Sequence, residues 1–514
     1  MASQYRYVVA KRARSALGGG PFPALAEPNN PNPFPPAPLC PKPLPMSHVL
    51  NITHSILGQP WRWRSLENDA RTALSSDDLV TQLLLARGCP PAALAAHRTP
   101  TIREFMPDPS IFRDMDRAAD RLAAAVLAGE RVAVFGDYDV DGATSAALMI
   151  RLLRTLGLDP VAYIPDRLME GYGPSGEALV RLAGDGASLI VTVDCGAQAF
   201  EALDMARTAG VDVIVVDHHK CATELPVAYA LVNPNRLDEA EGAAHGHLAA
   251  VGVAFLLGAA LIRNLRQRGH FGARAEPALL DLLDIVALGT VADVAALRGL
   301  NRAFVAQGLK VMARRSNTGL AALLDIARLS RAPTATDLGF ALGPRINAGG
   351  RVGKSDLGVR LLTTDDPVEA QAIAAELDRL NEERRAIEAD VQASAEAMVS
   401  TTSAVAIAAG TGWHPGVIGI VAGRLKERFG KPAIVIAIDA DGIGKGSGRS
   451  VPGVDLGQAV LAAKDAGLLI AGGGHAMAAG LTIEGAQIAA FTDFLNARLA
   501  SGVAQSIGDR ALLV

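Results

Sequence analysis

Cysteine is scarce in this chain: four in 514 residues, at positions 40, 89, 195 and 221, with no CxxC pair. That excludes a disulfide scaffold and a thiolate-built zinc site, and it favours a reducing cytoplasm. Net positive charge is also lacking. A formal charge of -4 gives no bulk argument for nucleic acid, so such a partner would need local basic surface. No apolar run is long enough to cross a bilayer; AAVGVAFLLGAALI, within 249–263, reads as a buried helix. The N-terminus has no apolar core ahead of a small-residue cleavage site, so no secretory signal is visible. What remains is ordinary for an enzyme: half the residues hydrophobic, a fifth charged, and length for two or three domains.

Residues 21–45 hold 11 prolines in 25 positions and predict an extended, disordered stretch. Met46 follows at once, so 1–45 reads as an upstream Pro-rich extension and 46–112 as a helical lead-in. From 113 the pattern alternates. RVAVFGD (131–137), VAYIP (161–165), SLIVTVD (188–194), VDVIVVD (211–217) and AYALVN (228–233) have strand length, with helical stretches between them. Such alternation predicts βαβ units and a parallel sheet covered on both faces. Three of these strands end on an acid, at Asp137, Asp194 and Asp217, and ligands of open parallel sheets bind beyond the carboxyl ends of strands. A helical region follows, then GPRINAGGRVGKSDLGVRLL, read as a glycine-interrupted loop. Asp366 and Pro367 predict the start of a long connecting helix, 365–399, with Ile373, Leu377, Leu380, Ile387 and Val391 as its apolar stripe. A smaller α/β domain, 400–500, runs from AVAIAAG (404–410) through PAIVIAID (432–439) to AGGGHAMAAGLTI (471–483).

The chemistry gathers in a few acids and imidazoles: Asp137, Asp139 and Asp141 in GDYDVDG, Asp194 in TVDCG, Asp217, His218 and His219 in VVDHH, and Asp293 in GTVADV. A DxDxD run alone reads as a solvated turn, and paired histidines after a strand can simply cap the next turn. Together, at strand ends, these groups converge on one crevice. Oxygen ligands with one or two imidazoles suit Mn²⁺ or Mg²⁺. Several carboxylates at one place suggest two ions, the arrangement used in phosphoester hydrolysis. A basic group, Arg345, Asn347, Arg351 and Lys354, and the second-domain residues His414, Arg424, Arg449 and His475 in glycine-rich loops would serve phosphates along a single strand. Trp413 is the one aromatic candidate for base stacking there, although most tryptophans are core.

The blocks GDYDVDGATS, VTVDCG, VDHH and GTVADV resemble the four motifs of the DHH phosphoesterase superfamily. PRINAGGR, GWHPGVIGIVAGRLKERFGKPAIV, GSGRS and GGGHAMAAG resemble its RecJ family of single-strand-specific 5′→3′ DNA exonucleases, over roughly residues 50 to 510. The resemblance implies a DHH catalytic domain (113–364) joined by the long helix to a DHH-associated nucleic-acid-binding domain. It implies that Asp139 binds one metal and Asp141 the other, that Asp194 bridges them, and that His218 and Asp293 complete the second. His219 would contact the scissile phosphate and Asp217 would orient a histidine, with Asp137 in a supporting role. The nucleophile would be water, with Cys195 and Cys221 not involved.

The function so implied is 5′→3′ degradation of single-stranded DNA in repair and recombination by a cytoplasmic monomer without membrane attachment, a helicase and a single-strand-binding protein presenting the strand. Two alternatives stand beside it: a DHH phosphodiesterase of short oligonucleotides or cyclic dinucleotides, and a non-catalytic DNA-binding scaffold. The family's first motif often carries a histidine where this chain has Phe135, which implies a more weakly held first metal. Residues 501–514 read as the truncated start of an OB-fold region. Without that fold, DNA binding is expected to be weaker and more salt-sensitive.

Overall fold

The computed structural model describes residues 78–508 except 86 and 168, with 56, 61–62 and 512–513. The expected extension at 1–45, most of 46–77 and the end of the chain lie outside the described residues, and the rest of the lead-in carries short helices at Leu79–Leu85, Leu94–Arg98 and Ile102–Phe105. Everything below belongs to the compact unit Arg64–Leu512.

Five strands, β1 (Val132–Gly136), β2 (Val161–Tyr163), β3 (Leu189–Val193), β4 (Asp212–Val216) and β5 (Ala230–Val232), form a sheet in the order β2-β1-β3-β4-β5. Every pairing is parallel. Their residues alternate between two apolar layers, as a period of two requires. Val132, Val134, Val191, Ile214 and Val216 pack with helices α1 (Met115–Ala128) and α2 (Val140–Thr155). Ala133, Phe135, Ile190, Val213 and Val215 pack with α3 (Gly176–Gly184) and α4 (Phe200–Thr208). Burial on both faces explains why all but the half-exposed edge strand β2 read as unbroken apolar runs. Because β1 has β2 on one side and β3 on the other, the order in which strands are added reverses there, and the crevice beyond β1 and β3 is the natural ligand site.

Helices α5 (Ala250–Gln267), α6 (Leu283–Ala292), α7 (Gly299–Met312) and α8 (Thr318–Ile326) extend the first layer. The stretch expected to be a loop is instead a helix, α9 (Gly343–Val352), entered through one π-helical turn at Leu338–Leu342. Its glycines serve packing rather than turning: a Cβ on Gly350 would lie 2.7 Å from the carbonyl oxygen of Tyr138. After α10 (Leu357–Thr363), helix α11 (Pro367–Met398) starts at Asp366, whose carboxylate accepts from the amide of Val368 at 2.9 Å. Its 32 residues reach roughly 48 Å.

A second sheet of five strands has the order β9-β10-β8-β7-β6: β6 (Ala406–Thr411), β7 (Ala433–Ile438), β8 (Ile443–Arg449), β9 (Ala471–His475) and β10 (Ala478–Glu484). Only β6 and β7 run parallel. Two stretches expected to be loops, GKGSGR and AGGGH, are therefore strands. Glycine alternates along β8 because its inner face lies under large neighbours: a Cβ at Gly444, Gly446 or Gly448 would stand 2.7 Å from Ile436, Leu481 or Leu456. Helix α12 (Ile418–Phe429) and the far end of α11 cover one face. Helices α13 (Leu456–Asp465) and α14 (Ile488–Gly508) cover the other.

Candidate metal centre

Strand β1 runs into α2 through GDYDVDG, and each acid of that turn has its own place. Asp139 is the N-cap of α2; one carboxylate oxygen accepts from the amides of Asp141 (2.8 Å) and Gly142 (3.1 Å), leaving the other free. Gly142 is obligatory, since a Cβ there would be 2.3 Å from the carbonyl of Asp137. Asp141 lies fully within the fold and caps another helix: its two oxygens accept from Ala250 (2.7 Å) and Val251 (3.0 Å), the start of α5, which has no side-chain cap of its own. Two helix N-termini therefore aim at this crevice, and both favour negative charge.

Asp194 follows β3 with φ = 61°, a left-handed conformation that Asp tolerates and most residues avoid. Asp217 follows β4 and is saturated. It accepts from the amides of Ala197 (3.0 Å), His218 (2.7 Å) and His219 (3.1 Å) and from the His219 ring at 2.8 Å. It therefore orients, and has no oxygen to spare. His218 donates Nδ1–H to the carbonyl of Leu248 at 3.0 Å, which turns Nε2 and its lone pair towards Asp194 (3.3 Å) and Asp141 (3.9 Å). Asp293, at the end of α6, reaches His218 from the other side at 3.9 Å. That approach depends on Gly289, where a Cβ would meet Thr144 Oγ1 at 2.2 Å and Asp141 Oδ1 at 3.0 Å. The next residue, Val294, is held at φ = 62°, unusual for a β-branched side chain.

Ligand atoms cluster in three sets, each within 4.8 Å: Asp137 with Asp139 and Asp194, Asp141 with His218 and Asp293, and Asp194 with His218 and His219. Asp194 belongs to two of them. Asp137, expected in a supporting place, joins the first set directly. Phe135 offers nothing, being buried in the opposite layer and stacked on Tyr163 at 5.1 Å. The Oδ1 atoms of Asp137 and Asp194 are buried with no hydrogen-bond partner among the described residues. So many acids in one buried place oppose ionisation. Burial, then Asp139, pushes Asp137 up to about 8. Burial and Asp139 take Asp293 to about 7. Burial and neighbouring carboxylates hold Asp194 and Asp141 well above the usual range. Asp217 goes the other way: burial acts upward, but the His219 hydrogen bond outweighs it and holds the acid at about 2. Burial disfavours a charged His219, yet Asp217 raises it to about 9. Burial and the His219 charge keep His218 low, hence neutral. Divalent cations fit this donor set: anionic oxygens, one oriented imidazole, and buried orphaned acceptors. Neither cysteine is activated, since burial raises Cys195 well above its usual value and Cys221 to about 11.

Beside the acids lies a positive counterpart. Arg167, in the loop after β2, sits 4.8 Å over the Tyr138 ring. Burial, then Arg167, lowers both Arg351 and Arg449, Arg351 to about 10. Arg351 donates to the Gly416 carbonyl at 3.1 Å, and Arg449 to Ser447 Oγ (3.2 Å) and the Gly448 carbonyl (2.8 Å). None of the three forms an ion pair among the described residues. Arg351 feels Asp139 and Arg167 is felt by Asp137, yet no carboxylate pairs with any of the three, and guanidiniums so placed are able to take an anion. Sequence reasoning missed Arg167, because IPDRLMEGYG carries no basic cluster.

The two sequence domains also share a cavity of about 430 Å³, walled by Tyr172, Gly196–Ala199, His219 and Lys220 on one side and Gly474 and His475 on the other. Tyr172 spans it, donating to the Asp194 carbonyl at 3.1 Å and meeting the His219 ring edge-on.

Two family models match the chain. The "DHH family, N-terminal domain" model matches residues 131–290 and the "DHHA1 domain" model residues 401–501. The single-stranded-DNA-specific exonuclease RecJ of Haemophilus influenzae is 38% identical over 407 residues, 77% of this chain and 70% of that protein. The RecJ of Dickeya dadantii is 45% identical over 381 residues, 71% of this chain and 66% of its own length. A crystal structure of exonuclease RecJ bound to manganese superposes with TM-score 0.65 at 36% identity, covering 76% of this chain and 95% of that one. The chain belongs to the RecJ family. It spans 66% of the length of the curated RecJ proteins of Dickeya dadantii, Salmonella typhimurium and Escherichia coli, just under two thirds.

In this RecJ-family chain the residues foreseen as substrate contacts divide. Arg351 and Arg449 join Arg167, and His414 stands beside them, its Nδ1 accepting from the Gly416 amide at 3.0 Å. His475 faces His219 across the cavity. Lys354 is exposed, and Asn347 makes no side-chain hydrogen bond among the described residues. Arg345 turns away from the crevice to Asp378 on α11 at 2.8 Å, and Arg424 to Glu388 at 3.3 Å. Trp413 packs on Gly410, where a Cβ would be 2.3 Å from its ring, and is partly buried against the core of this domain.

Proposed function

We propose that this chain hydrolyses single-stranded DNA from its 5′ end, releasing nucleotides with the help of two divalent cations, Mn²⁺ or Mg²⁺. The supporting observation is the juxtaposition, at the sheet's switch point, of orphaned carboxylate oxygens and a lone-pair-bearing imidazole beside a guanidinium cluster. The RecJ relatives named above are single-stranded-DNA-specific exonucleases, and RecJ structures hold Mn²⁺ or Mg²⁺.

In this reading Asp137, Asp139 and Asp194 would hold one ion and Asp141, His218 and Asp293 the other, and Asp194, 3.3 Å from His218 Nε2, would serve both. When bound, the ions supply Lewis acidity and a water of lowered pKa. The remaining groups bind and orient. His219, kept protonated by Asp217, offers a positive donor to the phosphate under attack. Arg167, Arg351 and Arg449 take the terminal 5′-phosphate and so give polarity. Asn347, Lys354, His414 and His475 line the strand's path, whereas Arg345 and Arg424 brace helix α11.

The biological setting is DNA repair and recombination in the cytoplasm, with a monomer receiving strands from a helicase and a single-strand-binding protein. No helix among the described residues is long and apolar enough to cross a membrane. The cavity of about 430 Å³ favours one second reading, a phosphodiesterase of short oligonucleotides. Initial rates on a dinucleotide, a long single strand and the same strand in duplex separate them. The exonuclease reading requires the long single strand to be preferred over both, and a preference for the dinucleotide overturns it.

A further inference from the structure

Tyr138 stands between two acids of the metal centre, yet its ring belongs to the guanidinium cluster. Its backbone is fixed from behind by α9, since Gly350 approaches so closely that a Cβ would be 2.7 Å from the Tyr138 carbonyl oxygen and 3.3 Å from its Cβ. The ring carries Arg167 on its face at 4.8 Å and meets the Tyr172 ring edge-on at 6.4 Å and 79°. Arg167 makes no hydrogen bond or ion pair among the described residues; its guanidinium rests on the ring, and its charge is felt by Asp137, Arg351 and Arg449. The loop bearing it is anchored on both sides. Glu170 accepts from the Asp166 amide (2.9 Å) and the Tyr163 hydroxyl (2.6 Å), and Tyr172 holds the Asp194 carbonyl (3.1 Å). The backbone is therefore set by those anchors, whereas the direction of the Arg167 side chain is set by Tyr138.

Without the ring, Arg167 would be driven apart from Arg351 and Arg449 by like charge and drawn to the nearby carboxylates. A tyrosine face attracts a guanidinium by its quadrupole and carries no charge that could compete with a phosphate. We propose that Tyr138 is a positioning residue for 5′-end recognition: it holds Arg167 beside Arg351 and Arg449 and keeps it from collapsing onto the metal-binding acids. This rests on the guanidinium cluster being the 5′-phosphate site.

The test compares 5′-phosphorylated with 5′-hydroxyl single strands, measuring kcat and KM with Mn²⁺. Wild type should prefer the phosphorylated strand through KM. Tyr138→Leu should lose that preference by roughly tenfold, keep its kcat on the 5′-hydroxyl strand within about twofold, and bind Mn²⁺ as wild type does in calorimetry. Tyr138→Phe keeps an aromatic face and should restore the preference, which a role through the hydroxyl would not allow. In an Arg167→Gln background, Tyr138→Leu should have no further effect on preference. Should Tyr138→Leu not fold, Tyr138→Met fills similar space without a π face and serves in its place. If wild type prefers 5′-phosphate and the Leu or Met variant does so equally, the inference about Tyr138 is overturned. If wild type shows no preference, the reading of the guanidinium cluster falls first and the inference with it.

Discussion

His218 Nε2 and Asp194 Oδ1 face each other at 3.3 Å, and both are acceptors, because the proton of the imidazole is given to the Leu248 carbonyl on the other side. Two lone pairs at that distance repel unless a cation or a proton lies near both. The centre is thus a structure strained by its own charges and completed by metal. Asp194→Asn retains a residue that accepts the left-handed backbone and removes the charge. It should lower kcat by roughly 10³-fold or more. The metal-free variant should melt no lower than wild type and should lose the rise in Tm that Mn²⁺ gives to the wild type.

The same strain sets a pH dependence. Asp137 and Asp293 have folded values of about 8 and about 7 against an ordinary 3.8. Between those limits the folded state binds more protons than the unfolded one, so the metal-free protein loses stability as pH rises from about 4 to about 8. Metal needs the deprotonated acids, so its stabilising effect should grow across that window. Thermal melts with EDTA and with Mn²⁺ at several pH values check this. Parallel curves would contradict it.

The Asp217–His219 pair predicts a separable effect. With Asp217 held at about 2 and His219 at about 9, the imidazole is a cation at neutral pH. Asp217→Asn removes the partner that sustains that charge. The His219 resonance should titrate at lower pH in NMR, and activity should fall about 10–100-fold with the Mn²⁺ sites still able to fill.

Arg345 and Arg351 lie six positions apart in one helix and should fail differently. Arg345→Ala breaks the ion pair with Asp378 and should lower Tm while leaving the KM for single strands nearly unchanged. Arg351→Ala removes a partner from the guanidinium cluster and should raise KM with little change in Tm. Equal effects on KM would contradict the division.

That pair also marks how far the sequence reaches. Strands β1, β3, β4 and β5 of the first sheet are legible because both faces are buried, and the acids that follow β1, β3 and β4 are legible because those strands are parallel neighbours. Helix α11 is legible from Asp366, Pro367 and its apolar stripe. PRINAGGR misleads because its glycines imply a loop, whereas Gly349 and Gly350 are there to let α9 press against other chain segments. GKGSGR misleads likewise, its alternating glycines lying under Ile436, Leu481 and Leu456. The partner of Arg345 is 33 positions away, and the place of Arg167 depends on a ring 29 positions before it; neither separation leaves a local signal. Asp137 looks redundant in GDYDVDG because its grouping with Asp194 joins the ends of two separate strands.

Gly289 gives a test of packing alone. Gly289→Ala places a Cβ 2.2 Å from Thr144 Oγ1 and 3.0 Å from Asp141 Oδ1, so α6 must retreat from α2 and take Asp293 with it. A loss of ~1–3 kcal/mol in stability should accompany weaker Mn²⁺ binding, measured by denaturant melts and calorimetry. A stable variant with unchanged metal affinity would contradict the role given to this glycine.

The most direct test is digestion of a long single strand labelled at either end, with Mn²⁺, wild type beside Asp194→Asn. The account predicts that wild type frees the 5′ label first, as a mononucleotide, and that the variant frees neither label at a comparable rate. Release of the 3′ label first, internal cuts in place of terminal ones, or an Asp194→Asn protein as active as wild type would contradict it.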